Sequence, residues 1–275
     1  MELYEVIQEI KKKKELNNIS DKFVQKLVIK ELEKRQYLLE IIKKAESIRD
    51  LKRNKEFLYF FKEIRKMLHE IYGVFAPKDI KKIWKILESD IPFDQKIIDI
   101  LRMSRPTKER LNFYNEIYDN IFLEKPKEII DIASGINPVS IYFSKDKPKS
   151  YFFVDISSDI LMINEYVLEQ MSIEPCGYEM DIFEPSKELF EFYQYIFLWK
   201  TIPIIEKYNP GYTKELISKL NFNYLIVSFS LQSLSGRRKL GRAWRPWMHR
   251  LAKDLGFKIQ KEFETKNELF IIITP

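Results

Sequence analysis

The sequence predicts an α/β chain: a mostly parallel sheet covered on both faces, preceded by an all-helical segment. Two observations predict it. From about residue 127, short β-rich apolar runs alternate with amphipathic segments, as strands alternate with helices around a parallel sheet. Before about residue 100, apolar residues instead recur at three- and four-residue steps, the helical period. Ser104, Arg105 and Pro106 interrupt that period, which divides the chain into a helical, basic unit at 1–105 and an α/β unit at 106–275.

In the first unit one helix is expected from about Ser20, a suitable N-cap, with Phe23, Leu27, Leu38 and Ile42 among its apolar positions. A second carries Phe57, Phe60, Phe61, Ile64, Leu68 and Ile71, and Gly73 follows where a C-cap glycine would sit. Lys22, Lys26, Lys30 and Lys34 fall four apart on the first helix. That spacing lines up cations along one side, which serves either as a solvated face or as a track for phosphates. In the second unit strands are expected at Glu128–Ile132, Tyr151–Val154, Tyr195–Leu198, Tyr224–Phe229 and Leu269–Thr274, with a further one ahead of Asp181.

Composition narrows the function. A chain of 275 residues, 45% hydrophobic and 14% aromatic, can bury a sizeable core. Its net charge of +6 favours an anionic partner, nucleic acid ahead of a membrane surface. No run approaches the ~20 apolar residues that span a bilayer, and the first residues, Met1 to Tyr4, lack the apolar stretch of a secretory signal. A cytoplasmic protein is expected. One cysteine, Cys176, and two histidines, His69 and His249, exclude a disulfide framework and argue against a metal site.

The most informative stretch runs from Glu128 through Asp131, Ile132, Ala133, Ser134, Gly135, Ile136, Asn137 and Pro138 to Ile141. A buried strand ends at Asp131–Ile132, one glycine turns the chain, and Asn137 with Pro138 offers an N-cap and first helical residue. A ligand fits outside the carboxyl end of such a strand, and Gly135 lets the backbone approach it. A second strand then ends in Asp155, about 20 residues on, where a carboxylate commonly accepts two hydrogen bonds from a vicinal diol. Asp181 follows the next strand. The G-x-G-x-x-G dinucleotide pattern and the phosphate loop of nucleotide hydrolases are both missing.

Further motifs carry a resemblance. Lys200, Pro203 and Glu206 form Lys-x-x-Pro-x-x-Glu after the fourth strand, and Val227-Ser228-Phe229 ends the next. Ser233, Leu234, Gly236, Arg237 and Lys239 form a Ser-Leu-x-Gly-Arg-x-Lys loop, while Thr107, Glu109, Arg110 and Leu111 stand at the junction and Asn267-Glu268-Leu269 opens the last strand. In this order they resemble the aminoglycoside-resistance methyltransferases that modify guanine N7 at the decoding site of 16S ribosomal RNA. The resemblance covers roughly residues 100 to 275. It implies a Rossmann-like class I methyltransferase domain with a mostly parallel seven-stranded sheet and S-adenosylmethionine as cofactor. It further implies a monomer acting on ribosomal RNA, within the assembled small subunit, with the helical unit for docking and neither metal nor membrane involved.

On that resemblance the cofactor-binding residues are Arg110, Asp131, Ala133, Gly135, Asp155, Ile156, Asp181 and Ile182. Lys200, Arg237 and Lys239 reach the target nucleotide as catalytic residues, and Ser233, Arg238, Arg242 and Trp244 contact RNA; ahead of the matching segment, Lys22, Lys26, Lys30 and Lys34 are expected to contact RNA on their spacing alone. Several have a second reading. Arg110 serves the cofactor carboxylate or an interdomain salt bridge, Trp199 stacks on a flipped base or fills the core, and Trp244 with Trp247 clasps RNA or packs on the sheet. Where the family has Gly-Cys-Gly this chain has Ala133-Ser134-Gly135, a change expected to bear on cofactor affinity. Guanine N7 already carries a free lone pair, so the implied chemistry needs no deprotonation and is mostly positioning.

Overall fold

The structure, a computed structural model, describes residues 2–77, 79–231 and 241–275 and, for residues 241 and 242, the backbone alone. Its first part is helical: α1 (Leu3–Lys11), α2 (Asp21–Glu33), α3 (Gln36–Lys44), α4 (Ile48–Arg53) and α5 (Lys55–Leu68). The single helix expected from Ser20 is two. The polar run Glu33-Lys34-Arg35-Gln36 has nothing to bury, and the chain turns at Arg35 (φ −140°), so that Leu38 and Ile42 reach the core from a second helix. Ser20 occupies the N-cap position but its hydroxyl caps nothing. The caps at Ser47 and Asn54 are genuine, accepting from the amides of Asp50 and Phe57 at 3.2 and 3.0 Å.

Gly73 is not a left-handed cap either. The helix widens into a π-turn over His69–Gly73, where a Cβ on residue 73 would meet His69 Nδ1 at 2.8 Å and displace that half-exposed ring. Phe57, Phe60, Phe61, Ile64 and Leu68 line the inner face of α5 and join Val6, Val24, Leu38 and Leu51 in one apolar core. That core is separate from those of the sheet.

Two more helices, α6 (Ile80–Glu88) and α7 (Phe93–Leu101), bury Ile83, Leu87, Ile97 and Ile100 in the same cluster as sheet residues Ile129, Tyr151 and Phe197. By packing, the change of core falls between Tyr72 and Ile80, ahead of the break expected at 105. After α8 (Arg105–Arg110) and α9 (Tyr114–Ile121) come β1 (Glu128–Ile132), a 3-10 turn at Asn137–Phe143, β2 (Ser150–Asp155), α10 (Ser158–Gln170), β3 (Glu174–Glu179) and β4 (Phe192–Trp199). Then follow α11 (Ile202–Tyr208), α12 (Tyr212–Lys219), β5 (Asn221–Ser230), α13 (Gly241–Leu255), β6 (Lys258–Glu264) and β7 (Glu268–Thr274).

The seven strands are ordered β3-β2-β1-β4-β5-β7-β6, all parallel except β7, which runs antiparallel to both neighbours. Period-two alternation explains why the central strands read as unbroken apolar runs. Ile129, Tyr195, Phe197 and Ile226 face the layer of α6, α7, α9 and α10, while Ile130, Ile196, Leu225 and Val227 face that of α11 to α13. The chain leaves β1 toward β2 on one side and returns to β4 on the other. That reversal opens a crevice at the carboxyl ends of β1 and β4, the place where ligands bind in such sheets.

Candidate functional site

A cavity of about 1010 Å³, counting the space open to solvent, lies at these strand ends. Strands β1, β2 and β4 each deliver their last residues to it: Asp131 and Ala133 to Ile136, then Asp155 and Ile156, then Trp199 to Thr201. The segment after β3 adds Met180 to Phe183, and α8 adds Arg110. All eight residues assigned to cofactor binding from sequence thus line one cavity, as does Lys200.

Gly135 turns the chain with φ +51°, and a Cβ there would meet nothing within 4 Å. Its N–H donates to Asp155 Oδ2 at 2.9 Å, and that of Ser157 to Oδ1 at 3.1 Å. An ionised carboxylate accepts at about four lone-pair positions, so Asp155 is oriented by the backbone with acceptor capacity to spare. Burial pushes its pKa up to about 6, against the pull of the Gly135, Ser157 and Ile156 amides. Asp181 accepts from the Phe183 N–H at 2.9 Å. It is raised by burial, opposed by that bond and by Lys26 and Lys30.

Ala133 is held at φ +56°, in the left-handed region. A side chain with a Cβ costs about 1–2 kcal/mol in that conformation. Ala133→Gly is therefore expected to raise stability by about 0.5–1 kcal/mol, net of the added freedom of the unfolded chain. A higher denaturation midpoint at unchanged slope would bear this out; an unchanged or lower one would remove the strain argument.

Asn137 does not cap a helix. Its Nδ2 donates to Asp131 Oδ2 at 2.7 Å, while its Oδ1 accepts from Arg110 Nη1 and from the Tyr114 hydroxyl, each at 3.2 Å. The helix expected to start there is a 3-10 turn. Asp131, fully enclosed, is lifted by burial to about 7 despite Asn137 and Arg110. Its carboxyl therefore holds the loop rather than offering a permanent charge.

Behind the cavity lies a buried charge network. Arg110 grips Glu268 with two parallel bonds, Nε to Oε2 at 2.9 Å and Nη2 to Oε1 at 2.8 Å, with its guanidinium 4.8 Å from the centre of the Trp199 ring. Lys200 Nζ lies 3.0 Å from Glu109 and 3.2 Å from Glu268, and the Ser228 hydroxyl completes the set on Glu268. Burial alone would raise Glu268, but the charges of Arg110 and Lys200 outweigh it and bring the carboxyl down to about 2. Lys200 also sits at φ +60°, its N–H donating to the Ser228 carbonyl at 3.0 Å.

These positions revise several expectations. Lys200, assigned to the nucleotide, keeps its ammonium between the Glu109 and Glu268 carboxylates at 9% side-chain exposure. Arg110 pairs with Glu268 of its own α/β unit, so its salt bridge lies within one unit rather than between two, and it also lines the cavity. Trp199 is a core residue, stacked on Phe197 and edge-on to Phe270, with one side to the cavity. Trp244 takes the packing role, lying parallel to Phe229 at 5.4 Å and edge-on to Trp247.

On α2, Lys22 and Lys30 are exposed, Lys26 pairs with Glu184, and Lys34 pairs with Glu31 at 2.6 Å. The row of four is thus partly neutralised. Ser233, Arg237, Arg238 and Lys239, with the side chain of Arg242, lie outside the described residues. Among the described residues no acid, histidine or cysteine cluster suits a metal ion, and no helix is long and apolar enough to cross a membrane. Sequence reading missed the roles of Glu268 and Asn137, and it missed Phe23 and Tyr72, which reach the cavity from the helical unit. Glu268 left one signal, a lone acid heading an apolar strand.

A sequence model of the ribosomal RNA methyltransferase (FmrO) family matches residues 60–273. A relative from Micromonospora echinospora, named 16S rRNA (guanine(1405)-N(7))-methyltransferase, is 27% identical over 225 residues, 77% of this chain and 81% of its own. One of the same name from Serratia marcescens is 28% identical over 178 residues, 64% and 67% of the two chains. Among solved structures, the 16S rRNA methyltransferase RmtF in complex with S-adenosyl-L-homocysteine is similar with a TM-score of 0.77 at 20% identity, over 100% of this chain and 99% of that one. The 16S rRNA methylase RmtB gives 0.74 at 20%, over 100% and 98%. Identity this low carries the fold alone.

Proposed function

From the premise that the chain belongs to the ribosomal RNA methyltransferase (FmrO) family, we propose that it transfers a methyl group from S-adenosylmethionine to N7 of a guanine in 16S ribosomal RNA, at the decoding region. The observation that carries this reading is the cavity at the ends of β1, β2 and β4. Its residues suit an amphipathic ligand with a diol and a zwitterionic tail. Asp155 has acceptor sites left for two hydroxyls, Ile156, Ile182 and Phe183 give an apolar wall beside Asp181, and Arg110 stands at the other side as the cation for a carboxylate.

When bound, the cofactor supplies a methyl group made electrophilic by its sulfonium. The protein's part is positioning. Gly135 and Ser157 fix Asp155, Asn137 ties the β1 turn to Arg110, and Glu268 fixes Arg110 and Lys200 relative to β5. Since the N7 lone pair is free, no side chain has to remove a proton, and holding base and methyl in line supplies most of the rate. On the resemblance, Arg237 and Lys239 contact the nucleotide and Ser233, Arg238 and Arg242 the RNA backbone; the exposed Lys22 and Lys30 of α2, by their charge and spacing, add contacts to phosphates. The helical unit docks on the assembled small subunit, and the protein acts as a cytoplasmic monomer.

The test is transfer of radiolabelled methyl from S-adenosylmethionine to purified small ribosomal subunits, followed by borohydride and aniline, which cleave at 7-methylguanosine. Cleavage in the decoding region is expected. Label without cleavage would move the target to another atom, and no label together with no cofactor binding would leave an RNA-binding protein with the fold alone.

Cofactor binding should also depend on pH in one direction. Asp155 must be ionised to accept both hydroxyls, and its pKa in the free protein is about 6. Affinity for S-adenosylhomocysteine is therefore expected to be flat above about pH 7 and to weaken, approaching about tenfold per pH unit, well below pH 6. Calorimetric titration between pH 5 and 8 reads this directly, and a flat profile would reassign the residue.

A further inference from the structure

The helical unit reaches into the cavity. Phe23 on α2 and Tyr72 in the π-turn line it together with the strand-end residues, and Phe75, Ala76 and Pro77 extend the same wall. Both aromatic residues also belong to the helical unit's own core. The connection is tightest beside Asp155. The next residue, Ile156, packs its side chain against the helical core, and its carbonyl accepts the Ser20 N–H, at the start of α2, at 2.9 Å. Lys26 of α2 pairs with Glu184 just beyond Asp181, while Glu70 in the π-turn binds Lys207 at 2.6 Å and the Tyr208 hydroxyl. Among the described residues, the buried Tyr72 hydroxyl has no partner at hydrogen-bonding distance and geometry.

Resting on the assignment of this cavity to S-adenosylmethionine, we propose that the helical unit forms one wall of the cofactor site. Phe23 and Tyr72 supply the wall opposite the sheet, and Ile156 transmits cofactor occupancy to α2. A docking module merely tethered to a catalytic domain would not place its core aromatics against the cofactor. Nor would it hold the residue after the diol-binding acid inside its own core. Contact with the ligand should thus order the helical unit as well as the strand ends, and trimming the aromatic wall should weaken binding without touching Asp155.

Two measurements on the full chain decide it, both with S-adenosylhomocysteine as probe. In hydrogen exchange on the unaltered protein, saturation should slow the amides of residues 20–33 and 69–76 along with those of the β1 and β2 turns. In calorimetry, Phe23→Ala should weaken binding by about tenfold or more, the loss expected for one apolar wall contact. Phe23→Leu, which keeps most of the core volume, should fall between. Protection confined to the strand-end turns, or a folded Phe23→Ala with unchanged affinity, would overturn the proposal while leaving the cofactor assignment standing. Should Phe23→Ala fail to fold, the exchange pattern alone decides. If the unaltered chain bound no S-adenosylhomocysteine, the assignment of the cavity would fall, and this inference with it.

Discussion

Replacing Glu268 by glutamine is expected to destabilise the protein by about 3–5 kcal/mol, the range for removing one partner of a buried ion pair. The substitution keeps the shape but leaves Arg110, 3% exposed, without its counter-charge, and leaves Lys200 with Glu109 alone. The pKa gives the same scale. A carboxyl that falls from 4.5 to about 2 on folding contributes about 3 kcal/mol. Its folded value is depressed, so this stability is present above about pH 4.5 and is lost as pH falls toward 2. Urea unfolding of Glu268→Gln at neutral pH tests the point, and a loss below about 1 kcal/mol would show that the cations relax toward water. Exchanging Arg110 and Glu268 together for apolar residues should recover part of the loss, since the pair as a whole carries a large desolvation cost.

Asp155→Asn is expected to do the opposite, removing cofactor binding while sparing the fold. An amide offers one acceptor oxygen, which cannot serve the Gly135 N–H, the Ser157 N–H and two hydroxyls at once. Losing two charge-assisted hydrogen bonds, at about 1.5–3 kcal/mol each, weakens binding by about 100-fold or more. Stability should change little at neutral pH, because relief of a buried charge offsets the one backbone N–H left without its acceptor. Calorimetry with S-adenosylhomocysteine beside a thermal melt separates the two effects. Unchanged affinity would sink the diol assignment; lost affinity with a collapsed fold would make Asp155 structural.

How far the sequence spoke depended on where each residue lies. Strands β1, β2, β4, β5 and β7 were legible because they are enclosed on both faces and consist almost wholly of apolar side chains. The strand before Asp181 could be placed only by order, and β6 was not anticipated. These are the two edges of the sheet, where β3 carries Pro175 and Gly177 and β6 alternates charged with apolar residues, as solvent-facing edges do. The same logic governs the site. Gly135, Asp155 and Asp181 announce themselves through local order, strand then turn then acid. The work of Asn137 and Glu268 depends on Arg110, 27 and 158 residues away in the chain, and no window of sequence holds such a pair. Phe23 was read as a helix-core residue, which it is, as is Tyr72; that both also face the cavity follows only from how the two units meet.

The 158-residue separation of Arg110 from Glu268 also sets an order of events during synthesis. The buried core of the helical unit is drawn from residues up to Tyr72, with Ala76 and Ile156 packing on its edge, so most of it can condense while much of the chain is still unmade. Loop closure makes long-range pairing slow, and domains form as units, the N-terminal one first. Arg110 and Lys200 both precede Glu268 in the chain, so the acid they share reaches them only when β7 takes its place antiparallel between β5 and β6. Maturation of the sheet half is thereby timed by its last strand, and a nascent chain can fold its helical unit before the buried charge network behind the cavity is complete.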